Sequence, residues 1–209
     1  MFVVMKKVCI ICSLILVFVL LVNCTNREKQ TRWEAKAEEE MNERSLEEDA
    51  EAGVAEAQFL MGVDYDYGDH AGNYEEAVKW YVKSAEQGYA WAQNNLGVCY
   101  QFGNGVEQSY EEAMKWLLMA AEQNVSEAAT SIGGFYKRGY GVKQDVVEAV
   151  KWYRKAAELG NTNGMFQLGC SYLYGDGVAQ NKDEAVKWLR KAAENGQQNA
   201  KDILQELGD

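Results

Sequence analysis

The only histidine in the sequence, His70, is the first candidate for acid–base or metal chemistry. It lies near Asp64 and Asp69, and an imidazole beside carboxylates could bind a cation weakly. A zinc site of the H-E-x-x-H type needs a second histidine, so that class is excluded. A serine triad would need His70 and a G-x-S-x-G turn, and the sequence has no such turn. We therefore predict no catalytic residue, no metal site and no cofactor.

Two further patterns have the spacing of reactive motifs without their sequence context. Cys9 and Cys12 are spaced like a redox or metal pair, yet both lie in a strongly apolar segment near the N-terminus. The paired glycines at 103 and 105, at 139 and 141, and at 175 and 177 follow no predicted strand and precede no G-K-[ST]. We interpret them as turns rather than phosphate-binding loops.

The first 24 residues predict export to the bacterial cell envelope, periplasmic or surface. Lys6 and Lys7 precede an apolar run from Val8 to Val22, which has the charge and length of a secretory leader and is short for a bilayer span. The segment ends in Leu-Val-Asn-Cys, which resembles the processing site of bacterial lipoproteins, where Cys24 would be lipidated. An asparagine replaces the usual small residue before this cysteine, so an ordinary signal peptide and an uncleaved anchor stay open as alternatives.

The charge of the protein argues against nucleic-acid partners. The formal net charge is −11, and removal of residues 1–23, which carry two lysines and no acids, takes it to −13. An acidic protein repels nucleic-acid backbones and anionic membrane surfaces. Membrane contact is predicted only through a lipid on Cys24.

Self-similarity dominates the rest of the sequence. The motif Ala-x-Lys-Trp begins at residues 77, 113, 149 and 185, at a constant spacing of 36. An apolar-Gly-x-x-Tyr motif begins at residues 61, 96, 132 and 168, so its first spacing is one residue shorter. The missing residue falls in the loop 68–73. Four copies in this register indicate a tandem-repeat protein.

Each repeat predicts two helices, A and B. On helix A, an alanine, the apolar residue and the tyrosine are spaced by four and share one face. Gly97 and its equivalents lie beside that face, and the cost of about 1 kcal/mol for a mid-helix glycine suggests close approach of the partner helix. The alanine and tryptophan of helix B form its inner stripe, which places in the core Trp80, Trp116, Trp152 and Trp188. The B helices are predicted to end at residues that tolerate left-handed backbone, namely Gly88, Asn124, Gly160 and Gly196.

The repeat reads Ala-x-x-x-Leu-Gly-x-x-Tyr-x-x-Gly-x-Gly-Val and then Ala-x-x-Trp-(Tyr/Leu)-x-x-Ala-Ala-Glu, and it resembles the Sel-one-like repeat (SLR) family, a relative of the tetratricopeptide repeat. The resemblance covers residues 55–198. It implies an all-α fold, a right-handed α-solenoid of four antiparallel helix-pair repeats with helical caps. It also implies an adaptor that binds a protein or peptide.

The resemblance and the flanking sequence divide the protein into segments. Terminal repeats need polar caps, because a repeat cannot bury its faces alone. The predicted segments are a leader at 1–24, a tether at 25–31, an N-terminal capping helix at 32–54, repeats at about 55–90, 91–126, 127–162 and 163–198, and a C-terminal capping helix at 199–209. Cys99 and Cys170 lie two repeats apart, too far for the roughly 7 Å between Cα atoms of a disulfide, so both are predicted to be unpaired.

In tetratricopeptide-like stacking the A helices line the concave wall, which predicts a partner-binding groove there. Aromatic side chains and arginine carry much of the energy in protein interfaces, and Lys137 and Arg138 could receive a carboxylate. The predicted groove residues are Phe59, Val63, Asp66, Tyr67, Trp91, Asn94, Val98, Gln101, Phe102, Glu127, Thr130, Lys137, Arg138, Asn163, Phe166, Leu173 and Tyr174. Packing between neighbouring A helices is the alternative for Phe59, Trp91 and Phe166, and a solvated surface is the alternative for Lys137 and Arg138.

The sequence therefore predicts a non-enzymatic envelope scaffold. The alternative is a β-lactamase-like or peptidoglycan-binding protein, because some secreted, cysteine-rich SLR proteins have been described in that way. Those proteins carry regular cysteine pairs within repeats, and this sequence has none. It also lacks the S-x-x-K and K-T-G signatures of serine β-lactamases.

Overall fold

The computed structural model describes residues 45–208, and the protein is all-α over that range. The helices run in sequence order as α1 (Leu46–Glu51), α2 (Ala55–Tyr67), α3 (Tyr74–Glu86), α4 (Ala90–Phe102), α5 (Tyr110–Glu122), α6 (Ser126–Arg138), α7 (Val146–Glu158), α8 (Thr162–Tyr174), α9 (Lys182–Glu194) and α10 (Gln198–Leu207). The predicted leader at 1–24, Cys24, the tether at 25–31 and most of the capping helix at 32–54 lie outside the described residues.

The helices form four pairs that stack in sequence. The A helices are α2, α4, α6 and α8, and each packs on the B helix that follows it, α3, α5, α7 and α9. Each B helix then packs on the next A helix, while α1 covers α2 and α10 covers α9. The predicted fold class, an α-solenoid of four helix pairs with helical caps, is confirmed. From residue 45 to residue 208, no helix is long and apolar enough to cross a membrane.

Caps formed by polar side chains fix the start of every B helix. Asn73, Ser109, Asp145 and Asn181 each accept a hydrogen bond from a backbone N–H in the first helical turn. Such caps satisfy amide groups that have no partner inside the helix. Each B helix ends two residues before a left-handed residue, namely Gly88, Asn124, Gly160 and Gly196, with φ of 89°, 66°, 91° and 92°. The predicted ends are thereby confirmed.

Glycine on helix A allows close contact with helix B, as predicted. A Cβ atom on Gly97 would lie 2.7 Å from Cγ of Leu117, and one on Gly133 would lie 2.6 Å from Cδ1 of Tyr153. On helix B, each glycine makes room for the residue that follows the tryptophan, Leu117 or Tyr153, and not for the tryptophan itself. Leu117 is fully buried at this contact.

The prediction that all four repeated tryptophans lie in the core is wrong for three of them. Trp188 is 9% exposed, whereas Trp80, Trp116 and Trp152 are only partly buried. The next residue on each B helix occupies the contact within the helix pair, which turns the indole toward the boundary with the preceding repeat. A lysine three residues on covers several of the rings; Lys83 Nζ lies 3.8 Å from the ring centre of Trp80. The lysine stem shields the indole, and its charge favours the ring face.

Candidate functional site

The last residue of each A helix carries a large side chain, and these residues occupy equivalent positions. Three are aromatic and strongly exposed: Tyr67 at 72%, Phe102 at 62% and Tyr174 at 70%. The fourth, Arg138, is also exposed. We call Tyr67, Phe102, Arg138 and Tyr174 the helix-end row. Exposed aromatic side chains at regular spacing are unusual on a surface that has no partner.

Several predicted groove residues instead pack between helices. The Phe59 ring lies 5.2 Å from the ring of Tyr89 and 6.1 Å from that of Tyr81. Phe166 and Leu173 pack against the apolar cluster of the fourth repeat. Val63 is partly buried and packs against the apolar cluster of the first and second repeats, and Val98 is half-buried. Trp91 remains 44% exposed.

Two predicted groove residues are buried and do not belong to an open surface. Asn94 is 6% exposed, and its side-chain N–H donates to Oδ1 of Asn95 at 3.2 Å. Asp66 is 8% exposed and accepts a hydrogen bond from the Tyr81 hydroxyl at 3.2 Å. Asp66 is thus bonded to the neighbouring B helix, whereas Asn94 bonds only to the next residue of its own helix and its buried Oδ1 has no partner among the described residues.

Hydrogen bonds to the residue that precedes the next A helix or the C-terminal capping helix engage two more predicted groove residues. Thr130 donates to Oδ1 of Asn161 at 3.0 Å. Asn163 accepts from Nε2 of Gln197, the residue before α10, at 2.9 Å. Glu127 is exposed and accepts from the Ser126 hydroxyl at 3.0 Å. These side chains hold repeat boundaries or lie at the surface.

A cavity of about 420 Å³ opens on the A-helix side of the third repeat. It brings together four residues that the sequence predicted for the groove, Gln101, Thr130, Lys137 and Arg138. It is lined as well by residues that the sequence analysis missed, Ser131, Gly134, Phe135, Tyr153 and Gln167. We call this space the third-repeat cavity.

Gly134 is the feature of the sequence that could have indicated the third-repeat cavity. The residues at the equivalent position of the other A helices are Val63, Val98 and Cys170. Loss of the side chain here leaves room beside α6, and the Arg138 side chain lies near it: a Cβ atom on Gly134 would be 3.2 Å from Nη1 of Arg138.

The third-repeat cavity is electrostatically distinct from the rest of this acidic protein. Lys137 Nζ forms an ion pair with Oδ2 of Asp176 at 3.2 Å. Arg138 forms no ion pair with residues 45–208, and its guanidinium lies 5.9 Å from the ring centre of Tyr140. Burial raises the pKa of Tyr153 to about 12, so its hydroxyl is protonated at neutral pH.

The candidates for catalysis and thiol chemistry do not assemble into a reactive site. His70 is exposed and hydrogen-bonded to Asp64; this bond raises the pKa of His70 and lowers the pKa of Asp64. Over residues 45–208 there is no group of three or more potential metal ligands. Cys99 and Cys170 are both unpaired, as predicted, and burial raises the pKa of Cys99 to about 12.

Comparison with known proteins gives one family and a consistent set of structures. The Sel1 repeat pattern matches residues 55–89, 92–125, 126–161 and 162–197. The SLR-fold protein c5321, a protective antigen of uropathogenic Escherichia coli, is 40% identical over 72% of this chain and 32% of its own length, with a TM-score of 0.69. A Sel1 repeat protein from Oxalobacter formigenes is 36% identical over 74% of this chain and 64% of its own, with a TM-score of 0.70.

Another similar structure is cysteine-rich protein B of Helicobacter pylori, which is 30% identical over 64% of this chain and 98% of its own, with a TM-score of 0.51. No curated protein matches the sequence. The chain spans less than two thirds of the length of either the Escherichia coli or the Oxalobacter protein.

Proposed function

We propose a function for this protein from its family. The chain belongs to the Sel1 repeat family. Sel1 repeat proteins are generally protein-interaction scaffolds. The proposed function is a non-enzymatic scaffold of the bacterial cell envelope that binds a protein or peptide along the A-helix side of the array. The exposed helix-end row is the observation that carries this proposal.

The helix-end row has the composition of an interface rather than of an ordinary solvated surface. Tyr67, Phe102 and Tyr174 are 72%, 62% and 70% exposed, although each ring is large and mostly apolar. Tyrosine, tryptophan and arginine are the side chains most often found at interface hot spots. Each A helix contributes one row residue, so a partner that runs across the repeats would meet one row residue per repeat. An extended or helical segment fits that geometry.

Cross-linked capture of partners from native envelopes tests the scaffold function. The full chain should retain a discrete protein, and the double variant Tyr67→Ala, Phe102→Ala should retain it at least about tenfold less, because truncation of a hot-spot residue costs about 2 kcal/mol or more. A matched control removes exposed apolar side chains from B helices, Met119→Ala with Val147→Ala, where exposure is 41% and 53%. Equal capture by both double variants, with circular dichroism unchanged, would reject binding along the helix-end row.

The envelope location is a separate part of the proposal, and it depends on the leader and on Cys24. A diacylated cysteine would hold the protein at a membrane that its acidic surface does not favour, since two acyl chains give stable anchoring. Labelling of cells with radioactive palmitate should mark the protein and place it in the membrane pellet. Cys24→Ser should lose both signals while Cys99→Ser keeps them. A protein that is unlabelled but exported would favour an ordinary signal peptide.

The non-enzymatic part of the proposal has a direct experimental test. The lining of the third-repeat cavity contains no carboxylate or imidazole from the described residues. The competing possibility, hydrolysis of a β-lactam or retention on peptidoglycan, is tested by a nitrocefin assay and by co-sedimentation. Nitrocefin hydrolysis that a single substitution abolishes would replace the scaffold proposal.

A further inference from the structure

Two equivalent tyrosines on the B helices have different hydrogen bonding. The Tyr81 hydroxyl donates to Oδ2 of Asp66 and accepts from Nδ2 of Asn95, both at 3.2 Å. Tyr153 holds the same position two repeats later and is only 3% exposed. Its hydroxyl has no hydrogen-bond partner within residues 45–208. The ring is buried, whereas the hydroxyl opens onto the third-repeat cavity, where it can form a hydrogen bond with a group that enters from outside.

The change in partners explains the free hydroxyl. The positions of Asp66 and Asn95 are taken in the later repeats by Lys137 and Gln167. Lys137 forms its ion pair with Asp176 instead of a bond to Tyr153. The Gln167 side chain makes no hydrogen bond with any described residue, although it lines the same cavity. The acceptor that satisfies the first tyrosine is therefore replaced by a cation at the second.

The lining of the third-repeat cavity is rich in donors and lacks an acid. Arg138 lies beside Gly134 and, in the described part of the protein, has no ion pair. The Tyr153 hydroxyl and the Gln167 amide can each donate a hydrogen bond into the same space. No carboxylate from residues 45–208 lines it, although the protein as a whole has a formal net charge of −11. The complementary ligand is an anion with at least two acceptor oxygens.

We infer that the third-repeat cavity binds a carboxylate of the peptide partner, which accepts from the Arg138 guanidinium and from the Tyr153 hydroxyl. Arginine and a carboxylate pair through two parallel hydrogen bonds, which fixes orientation as well as charge. The inference rests on the proposed function, because other residues of the same peptide would contact Phe102 or Tyr174 in the adjoining repeats. The carboxylate belongs either to an acidic side group or to the C-terminus of the peptide.

Three peptide libraries distinguish these sources. Each contains seven-residue peptides with a fixed centre and randomised neutral flanks. The first has a central glutamate and blocked ends, the second a central glutamine and a free C-terminal carboxylate, and the third a central glutamine and blocked ends. Equilibrium dialysis against the full-length protein in non-ionic detergent, read by mass spectrometry, gives the bound fraction of each library.

At least one carboxylate library should be retained at least about tenfold better than the neutral library, since hydrogen bonds to charged groups are the stronger class. The better of the two identifies the source of the carboxylate. Arg138→Gln should remove the preference, and Tyr153→Phe should reduce it about threefold. Equal retention of all three libraries, or a preference that survives Arg138→Gln, would overturn the inference.

Two further variants separate the third-repeat cavity from general stability. Gly134→Val introduces the side chain found at residue 98 and fills the cavity, so it should also abolish the preference while circular dichroism is unchanged. Tyr81→Phe removes the internally bonded hydroxyl and should leave the preference intact. If envelope capture depends on Tyr67 and Phe102 but the library preference withstands Gly134→Val, the scaffold function stands and the carboxylate site fails. If the unchanged protein captures no discrete envelope protein but the library preference is lost in Arg138→Gln and Gly134→Val, the scaffold function fails and the carboxylate site stands.

Discussion

At the scale of single residues, two adjacent glycines on α6 have different structural roles. A Cβ atom on Gly133 would lie 2.6 Å from Cδ1 of Tyr153 and 3.2 Å from the carbonyl oxygen of Ala149. A Cβ atom on Gly134 would meet only the end of the Arg138 side chain, at 3.2 Å. We therefore expect Gly133→Ala to lower the free energy of unfolding by about 1–3 kcal/mol through overpacking. Gly134→Ala should be neutral or should raise it by up to about 1 kcal/mol, the difference in helix propensity.

Urea unfolding followed by circular dichroism measures both effects on the same helix. The two substitutions have the same chemistry and the same helical environment, so their difference isolates the contact with α7. If Gly133→Ala proved as stable as Gly134→Ala, helix A and helix B would not approach as closely as this contact requires.

Asp66 gives a residue-scale prediction about pH. Burial raises the pKa of Asp66 above its ordinary value, even though it accepts a hydrogen bond from Tyr81. The folded state therefore holds this proton more tightly than the unfolded state does. Its contribution to stability is full below the unfolded pKa and is lost as pH rises through the folded pKa.

Between the ordinary pKa values of aspartate, 3.8, and of histidine, 6.5, the free energy of unfolding should fall less with rising pH in Asp66→Asn than in the unchanged protein. The raised pKa of His70 affects the free energy of unfolding only above this window, because the ordinary pKa of histidine is already 6.5. Thermal unfolding across the window gives the slopes, with Glu86→Gln, at an exposed position, as the control. Identical slopes in Asp66→Asn and the unchanged protein would show that Asp66 ionises equally easily in both states.

At the scale of elements, turn chemistry made the helix ends predictable. The Gly-x-Gly turns end α4, α6 and α8 with a left-handed glycine, and the second glycine faces the start of the preceding B helix. Gly105, with φ of 69°, lies against the backbone of Tyr74, so a side chain there would clash with main-chain atoms. Each turn thus ends one helix and also contacts the neighbouring repeat. Period and glycine position, both visible in the sequence, determine this arrangement.

The faces of the A helices were harder to predict than their ends. Off-stripe positions were predicted to line the groove, with packing between helices as the alternative for Phe59, Trp91 and Phe166. Asn94 and Asp66 are buried, and Phe59 packs against two aromatic rings, which was its alternative. A helix in a solenoid contacts its own partner and both neighbouring repeats, so its buried arc is wider than the stripe of one motif. The four residues at the ends of the A helices remain exposed.

At the scale of the whole molecule, the repeat gives the architecture and the departures from the repeat give the candidate site. The 36-residue period predicted the stacked pairs. The third-repeat cavity required a comparison of equivalent residues across repeats, in which Gly134 replaces valine and Lys137 replaces Asp66. Sequence alone shows these replacements. It does not show that Tyr153 and Gln167, from two other helices, reach the same space.

Stacked repeats contact only their neighbours, which predicts a graded rather than uniform stability along the array. Backbone hydrogen exchange should be slowest in α4–α7 and faster toward α2 and α10, because helices near the ends of the array are stabilised by fewer neighbouring helices. Leu204, 7% exposed, packs with the cluster of the fourth repeat, and Leu204→Ala should cost about 2–5 kcal/mol locally.

Exchange measured by mass spectrometry should therefore accelerate in α9 and α10 of Leu204→Ala, less in α8, and not at all in α2–α4. Leu117→Ala, at a fully buried position in the second repeat, should instead accelerate exchange on both sides of the lesion. Acceleration of equal size from α2 to α10 in Leu204→Ala would mean that the array unfolds as one unit. In that case the nearest-neighbour description would not apply to this protein, since a substitution at one end would destabilise the other end equally.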